Sequence, residues 1–353
     1  MSFRDFMEKA LYYPTKGYYT SGKERIGVKG DYYTSPFLSP IFAAMIGRQL
    51  EEMWINMGSR EFTVVECGAG TGLLAMDVIS YIKRNPAFYE KLIYKIVEKN
   101  QMPSSTLLEK YGNKVSWHTD VSEIDDFEGC IFSNEMIDNF PVHRVVMKKE
   151  LQEIFVDHQD GFIEFLKPAN QALLQYINEF DISLSEGYYT EINLEAAKWI
   201  EDVSQKLLRG YLITIDYGFE TAVLYDNHHR DGTLICYHNH QINNQPYDAI
   251  GEQDITSHVN FSALKKWGLN KNLEYCGLVN QAQFLLALGF KEYFLQEYGN
   301  VSNIQQAAEL EMRLNQVLLL EMGEKFKVLI QKKGLVDGNL RGIKSGLTEN
   351  GQN

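Results

Sequence analysis

Before position 58 the chain shows no strand-like apolar run. Apolar residues fall at helical spacing over 3–11, and a tyrosine-, glycine- and lysine-rich stretch follows. After Pro36 the helical spacing returns over 41–54, which predicts an amphipathic helix. Residues 1–58 therefore read as an N-terminal helical extension or lid. From position 62 short β-branched runs alternate with helical ones. Strands are predicted at 62–66, 92–98, 115–118 and 129–133, and helices at 73–83 and 104–111. That alternation implies βαβ units and a parallel sheet, hence an α/β fold.

The rhythm breaks after residue 142. Runs at 145–147, 153–156 and 162–165 predict a small antiparallel meander inserted in the fold, followed by helices near 170–180 and 193–208. A buried strand at 210–218 resumes the core. Residues 219–258 are polar and rich in His and Asn, and read as one ordered functional loop. Next come a helix near 261–267, a strand near 272–277, a helix at 279–288, a long amphipathic helix near 301–320 and a strand at 325–331. The division is thus 1–58 extension, 59–142 first half of the core, 143–208 insertion, 209–333 second half, and a polar, flexible tail over 334–353.

The chain has 353 residues, 44% of them hydrophobic, enough for a large core. Its formal net charge of -13 leaves no uniform basic footprint, so a nucleic-acid partner is not expected, whereas a protein or small molecule is. No apolar run approaches the roughly 20 residues that span a bilayer, so membrane insertion is not expected. The opening residues lack the layout of a signal or transit peptide, which makes the expected location cytoplasmic. Cys67, Cys130, Cys236 and Cys276 lie far apart with no C-x-x-C pair, and read as reduced thiols.

The first chemical signal is Glu66-Cys67-Gly68-Ala69-Gly70-Thr71-Gly72, placed between the first strand and the first core helix. Gly68, Gly70 and Gly72 let the backbone turn tightly and let a ligand lie against it. The spacing is G-x-G-x-G, whereas dinucleotide enzymes prefer G-x-G-x-x-G. S-adenosylmethionine has no phosphate, and an acid at Glu66 suits its ammonium group. Glu98, closing the second strand, can accept hydrogen bonds from both ribose hydroxyls. Asp120, just past the third strand, falls where such folds contact adenine. Glu98 suits a nicotinamide nucleotide equally, so a nicotinamide or flavin enzyme, or a turn with no ligand, stays open.

Ligands of open α/β sheets bind beyond the carboxyl ends of the strands. The fourth strand delivers Asn134, Glu135 and Asp138 there. Carboxylates can hold a guanidinium bidentately and leave one nitrogen aimed at a methyl donor. The structural alternative is that Asn134 and Asp138 cap the next helix. Asp216 ends the following core strand at the same edge. The segment Gly30-Asp31-Tyr32-Tyr33-Thr34-Ser35-Pro36, with Asp31 and Thr34, is a candidate lid. Asp254 and His258, in residues 251–261, are candidate substrate contacts. His238, His240 and His258 read as satisfied polar histidines, and no metal is expected.

A set of longer motifs points further. They are Ala10-Leu11-Tyr12-Tyr13-Pro14 with Gly17-Tyr18-Tyr19, the Gly30–Pro36 segment, the glycine loop, Asn134-Glu135-Met136-Ile137-Asp138-Asn139-Phe140-Pro141-Val142, and Ile215-Asp216-Tyr217-Gly218. Gly232-Thr233-Leu234, Gly251-Glu252-Gln253-Asp254-Ile255-Thr256-Ser257-His258-Val259-Asn260-Phe261 and Gln281-Ala282-Gln283-Phe284-Leu285 complete the set. On these the chain resembles the MidA family of class I methyltransferases, which includes a mitochondrial arginine methyltransferase of complex I assembly. The glycine loop is generic to methyltransferases, whereas the opening Tyr/Pro/Gly block and the Gly-Glu-Gln-Asp-Ile-Thr block are family-specific. The resemblance implies a Rossmann-like core with a seven-stranded, mostly parallel sheet, an N-terminal extension and an inserted antiparallel subdomain. It also implies S-adenosylmethionine as cofactor and an arginine of a protein partner, such as a respiratory-complex subunit, as acceptor. Methylation of a small molecule or RNA, and an assembly factor that binds the cofactor with little turnover, are the alternatives. Two positions depart from the family pattern. Phe37 stands where many members carry an acid, so a substrate contact by that acid does not carry over, and Ala43 follows Phe42 where glycine is common.

Overall fold

The computed structural model describes residues 1–22, 39–99, 105–239, 241–299, 304–336 and 339–344. The chain forms two compact units, one from Met1–Tyr33, Glu135–Glu201 and Tyr217–Trp267, the other from Thr34–Asn134, Asp202–Asp216 and Gly268–Asn353. Among the described residues there are fifteen strands, numbered β1 to β15 in chain order.

The second unit carries the main sheet. Its strands are β1 (Phe62–Cys67), β2 (Leu92–Val97), β3 (Val115–His118), β4 (Phe127–Asn134), β9 (Leu207–Phe219, as far as Asp216), β14 (Glu274–Asn280) and β15 (Phe326–Lys333). They lie in the order β14-β15-β9-β4-β1-β2-β3. The pairs β1–β2, β2–β3, β1–β4 and β4–β9 are parallel, and β14 runs antiparallel to β15. The expected seven-stranded, mostly parallel order is therefore present, and a short strand paired to β9, β13 (Val259–Asn260), makes an eighth. All six residues of β1 are buried, as a central parallel strand covered on both faces requires.

The helix Pro40–Asn56 starts with Pro40 in its first turn and Ser39 accepting from the Ile41 N–H. It packs into the same core as Val64, Ile79, Phe132, Ile213 and Val328. Its spacing predicts one apolar stripe, yet Ile41 to Gly47 are all buried. Close packing explains this: a Cβ on Gly47 would meet Tyr81, in the helix Leu73–Ile82, at 2.4 Å. Two short helices, Pro86–Lys91 and Phe290–Tyr298, were not anticipated. The helix expected over 301–320 is α-helical over Ile304–Leu314 and continues as a π-helix over Asn315–Glu321. In the stretch read as a flexible tail, Leu340 is fully buried, and the Gly342 N–H donates to Gln49 Oε1.

The first unit contains two antiparallel sheets. One has the order β7-β6-β5-β8, from β5 (His143–Met147), β6 (Leu151–Gln159), β7 (Gly161–Pro168) and β8 (Tyr189–Ile192), and contains the predicted meander. Its edge strand β7 is exposed at every residue. The other is β11-β10-β12, from β10 (Ile235–His238), β11 (Gln241–Asn243) and β12 (Asp254–Thr256). This corrects the single long loop expected over 219–258: strands of three or four residues are too short to show a period. β13 (Val259–Asn260) pairs with Gly218 and Phe219 of β9. The helix Phe3–Tyr12 buries Phe3, Phe6, Met7, Ala10 and Leu11 against Val142, Val156, Cys236 and Ile255. Among the described residues no helix is long and apolar enough to cross a membrane.

The three central strands leave no room for a side chain at Gly129 of β4, opposite Thr63 of β1 and Gly210 of β9. A Cβ on Gly129 would fall 1.9 Å from the Thr63 carbonyl oxygen, and one on Gly210 1.8 Å from that of Gly129. Gly129→Ala is expected to cost at least about 2 kcal/mol, since relief requires moving a central strand. Urea unfolding monitored by circular dichroism measures the loss.

Candidate active site

Within the second unit, β1 ends at Cys67 and the chain turns at Gly68, Gly70 and Gly72, whose φ angles are +75°, +54° and +76°. Side chains rarely adopt these values, and three of them in one short loop leave its backbone open to a ligand. Gly72 then caps the helix Leu73–Ile82. The Gly70 N–H donates to Glu98 Oε2 at 2.9 Å, so the predicted ribose acid is anchored on the glycine loop itself. The backbone of Glu98 is fixed in turn by its N–H, which donates to the His118 carbonyl at 2.9 Å.

Glu66, one residue before the end of β1, is 2% exposed. Its Oε2 accepts from the Tyr94 hydroxyl at 2.5 Å. Burial, opposed by the Tyr94 bond and reinforced by the nearby charge of Glu98, pushes its carboxyl up to about 7. Asp120 is exposed, and its carboxylate accepts from the Ser122 N–H at 2.8 Å, capping the 3-10 turn Val121–Glu123. Asn134 ends β4 opposite Ile215, and Asp216 follows as a fully buried residue of β9. Glu66, Glu98 and the three glycines thus fit a nucleoside cofactor with an amino-acid tail.

Within the first unit, Glu135 opens the segment after β4 with φ +51°, and Asp138 lies in the 3-10 turn Ile137–Asn139, 5% exposed. The residue at the start of that turn, Met136, offers it no side-chain cap. Asp254 lies in β12 with its carboxylate bonded to Asn139 Nδ2 and the Tyr19 hydroxyl. Tyr237, opposite Asp254 in the β10–β12 ladder, is pushed up to about 12 by burial and by the charges of Asp138, Asp254 and Glu135, while a hydrogen bond with Tyr217 opposes the shift. His258 stands edge-on to Tyr217 and Phe219, with ring centroids 5.0 and 5.4 Å away. His238 Nδ1 is 2.9 Å from the Glu252 carbonyl. Among the described residues no three His, Cys, Asp or Glu side chains gather as a metal site needs.

Asp31, Thr34, Phe37 and His240 lie outside the described residues. Tyr94, Tyr217, Tyr237 and Tyr19 were not singled out as site residues. Tyr19, Asn139 and Tyr217 lie within the longer motifs, which is the one signal the sequence carries for them.

A glycine loop with an acid on each side, at the head of a parallel sheet, defines a nucleoside-dependent α/β enzyme. Residues 45–279 match the family described as "Putative S-adenosyl-L-methionine-dependent methyltransferase", and the chain belongs to this family. Its cofactor is S-adenosylmethionine, its activity methyl transfer, and its fold that of a Rossmann-like class I methyltransferase. The chain is 27% identical to "Protein arginine methyltransferase NDUFAF7, mitochondrial" of Mus musculus, over 91% of this chain and 78% of that one. It is 23% identical to the Drosophila melanogaster homologue, over 95% and 82%. A crystal structure of a "likely methyl transferase" from Burkholderia thailandensis bound to S-adenosyl-homocysteine superposes with a TM-score of 0.86 at 30% identity, covering 97% of this chain and 90% of that one.

The raised Glu66 carboxyl has a measurable consequence. Between its ordinary value of 4.5 and about 7 the folded protein holds a proton that the unfolded chain has released. Stability is therefore greatest on the acid side of this window and falls as pH rises through it, by roughly 3 kcal/mol for this group. Urea unfolding at the two ends of the window, compared between the parent and Glu66→Gln, isolates the term, and the substitution is expected to remove it.

Proposed function

We propose that this methyltransferase acts on an arginine guanidino nitrogen of a protein partner, with a respiratory-complex subunit as the first partner to try. The observation that carries this reading is a group of acids in the first unit: Glu135 and Asp138 in the segment after β4, and Asp254, which is hydrogen-bonded to Asn139 of that segment and lies opposite Tyr237 in the β10–β12 ladder. Carboxylates recognise a guanidinium by paired, charge-assisted hydrogen bonds, and an aromatic ring adds a face for its plane. The relatives named above as protein arginine methyltransferases support the same acceptor. The net charge of -13 also favours a cationic protein segment over nucleic acid.

In this reading Glu66, Gly68, Gly70, Gly72, Glu98 and Asp120 hold the cofactor. When bound, S-adenosylmethionine supplies an electrophilic methyl group, and the nitrogen–carbon bond forms as the carbon–sulfur bond breaks with its electron pair left on sulfur. Glu135 pairs with the guanidinium and turns one nitrogen outward. Asp138 takes the proton that this nitrogen releases, and Asn134 orients the acceptor. Asp216 and His258 shape the surroundings of the acceptor and do not touch the reacting atoms.

Two measurements test the assignment. Tritium-labelled methyl transfer to lysate from a strain lacking the gene, followed by mass spectrometry, is expected to yield methylarginine in protein. Label confined to RNA or to a metabolite overturns the arginine reading. Glu135→Gln is expected to lower turnover by about 100-fold while leaving cofactor affinity within about 3-fold. A parallel loss of cofactor binding in calorimetry would contradict the division of roles.

A further inference from the structure

We infer that Asp254 is a positioning residue for acceptor binding, a role that rests on the arginine reading above. What it positions is the segment after β4. Glu135 has φ +51°, a left-handed conformation that a glutamate keeps only where its surroundings hold it. The residues that follow are tied one after another to distant parts of the same unit. The Ile137 carbonyl accepts from Asn193 Nδ2 at 3.0 Å. The Asp138 carbonyl accepts from the Ser257 N–H at 3.0 Å, and that of Asn139 from the Tyr12 hydroxyl at 3.2 Å.

A further tie is made by a carboxylate. Asp254 is 1% exposed. Its Oδ1 accepts from Asn139 Nδ2 at 3.1 Å and from the Ile255 N–H at 2.9 Å, and its Oδ2 accepts from the Tyr19 hydroxyl at 2.8 Å. Burying a carboxylate is costly unless its hydrogen bonds repay it, and here both oxygens are engaged. The result is a rigid strut from β12 to the side chain next to Asp138. Because Tyr237 senses the charges of Asp138, Asp254 and Glu135 together, the strut also adds to the negative field that an incoming cation meets. Asp254 acts on the acceptor through Asn139 and through that field.

A reciprocal exchange tests the strut. Asn139→Asp sets two buried carboxylates face to face, whereas Asn139→Asp combined with Asp254→Asn restores an amide–carboxylate pair with the partners swapped. Labelled methyl transfer is measured over a series of lysate protein concentrations, with cofactor affinity from calorimetry and melting temperature alongside. For Asn139→Asp the apparent KM for lysate protein is expected to rise by about 10-fold or more, with cofactor affinity within about 3-fold. The defect should shrink from about pH 8 to about pH 6, because two facing carboxylates can share a proton. The double variant should return to within about 3-fold of the parent. Tyr19→Phe, which deletes one donor and adds no charge, should raise the apparent KM by about 3-fold and spare cofactor binding, and it serves if Asn139→Asp does not fold. An unchanged KM in Tyr19→Phe, or no recovery in a double variant that melts like the parent, overturns the inference. So does a loss of cofactor binding that matches the loss of transfer. If the parent labels no arginine, the arginine reading falls and this inference with it. If it does label arginine but the exchange brings no rescue, the inference alone falls.

Discussion

At the middle of the main sheet, Thr63, Gly129 and Gly210 stand side by side on β1, β4 and β9, and the second and third have no side chain. The carbonyl oxygens of Thr63 and Gly129 fill the space that a Cβ would need. This contact locks the register of three parallel strands, because a slip by one residue would bring in a side chain and turn every neighbour to the opposite face. Carried along the strands, the same register aligns Cys67, Ser133 and Thr214. The glycine loop therefore begins at the level where β4 reaches Asn134 and β9 reaches Ile215. The chemistry at the sheet edge inherits its alignment from a steric fact several residues away.

The acids of the protein are handled in two ways. In the second unit, Glu66 is buried against a tyrosine hydroxyl and Glu98 is held by a loop amide, so each carboxylate is met by a neutral donor. In the first unit Glu135, Asp138 and Asp254 bear together on one tyrosine, Tyr237, whose hydroxyl is pushed up by burial and by their charges. The first pattern suits a ligand recognised by hydrogen bonds to hydroxyl groups. The second suits a ligand recognised by its charge.

Much of the main sheet was legible because its strands are apolar, β-branched runs broken by helices of ordinary length. The glycine loop was legible because three glycines in alternation have few uses other than close backbone approach. The strands β10, β11 and β12 were not, since runs of three or four residues are too short to carry a period. Nor was the burial of Leu340, in a glycine-rich stretch whose few apolar residues follow no helical or strand period. The contacts that give the site its shape were hidden for a different reason. Asn139 and Asp254 are 115 positions apart, and Tyr19 and Asp254 are 235 apart, so only the folded chain brings them together. Tyr94 carries no mark in the sequence beyond its place in an apolar strand, and only folding brings its hydroxyl to Glu66.

The edge strand β7 has a consequence for how copies of this protein behave in concentrated solution. An exposed edge bearing Phe162, Ile163, Phe165 and Leu166 is a template on which another chain could add a strand, the first step of aggregation. Three features oppose that. Glu164 puts a charge among the apolar residues, Pro168 lacks the N–H that a further rung would use, and the Lys167 ammonium lies 4.3 Å from the centre of the Phe155 ring. The hairpin can thus keep an apolar surface available to other molecules while its own edge resists self-association.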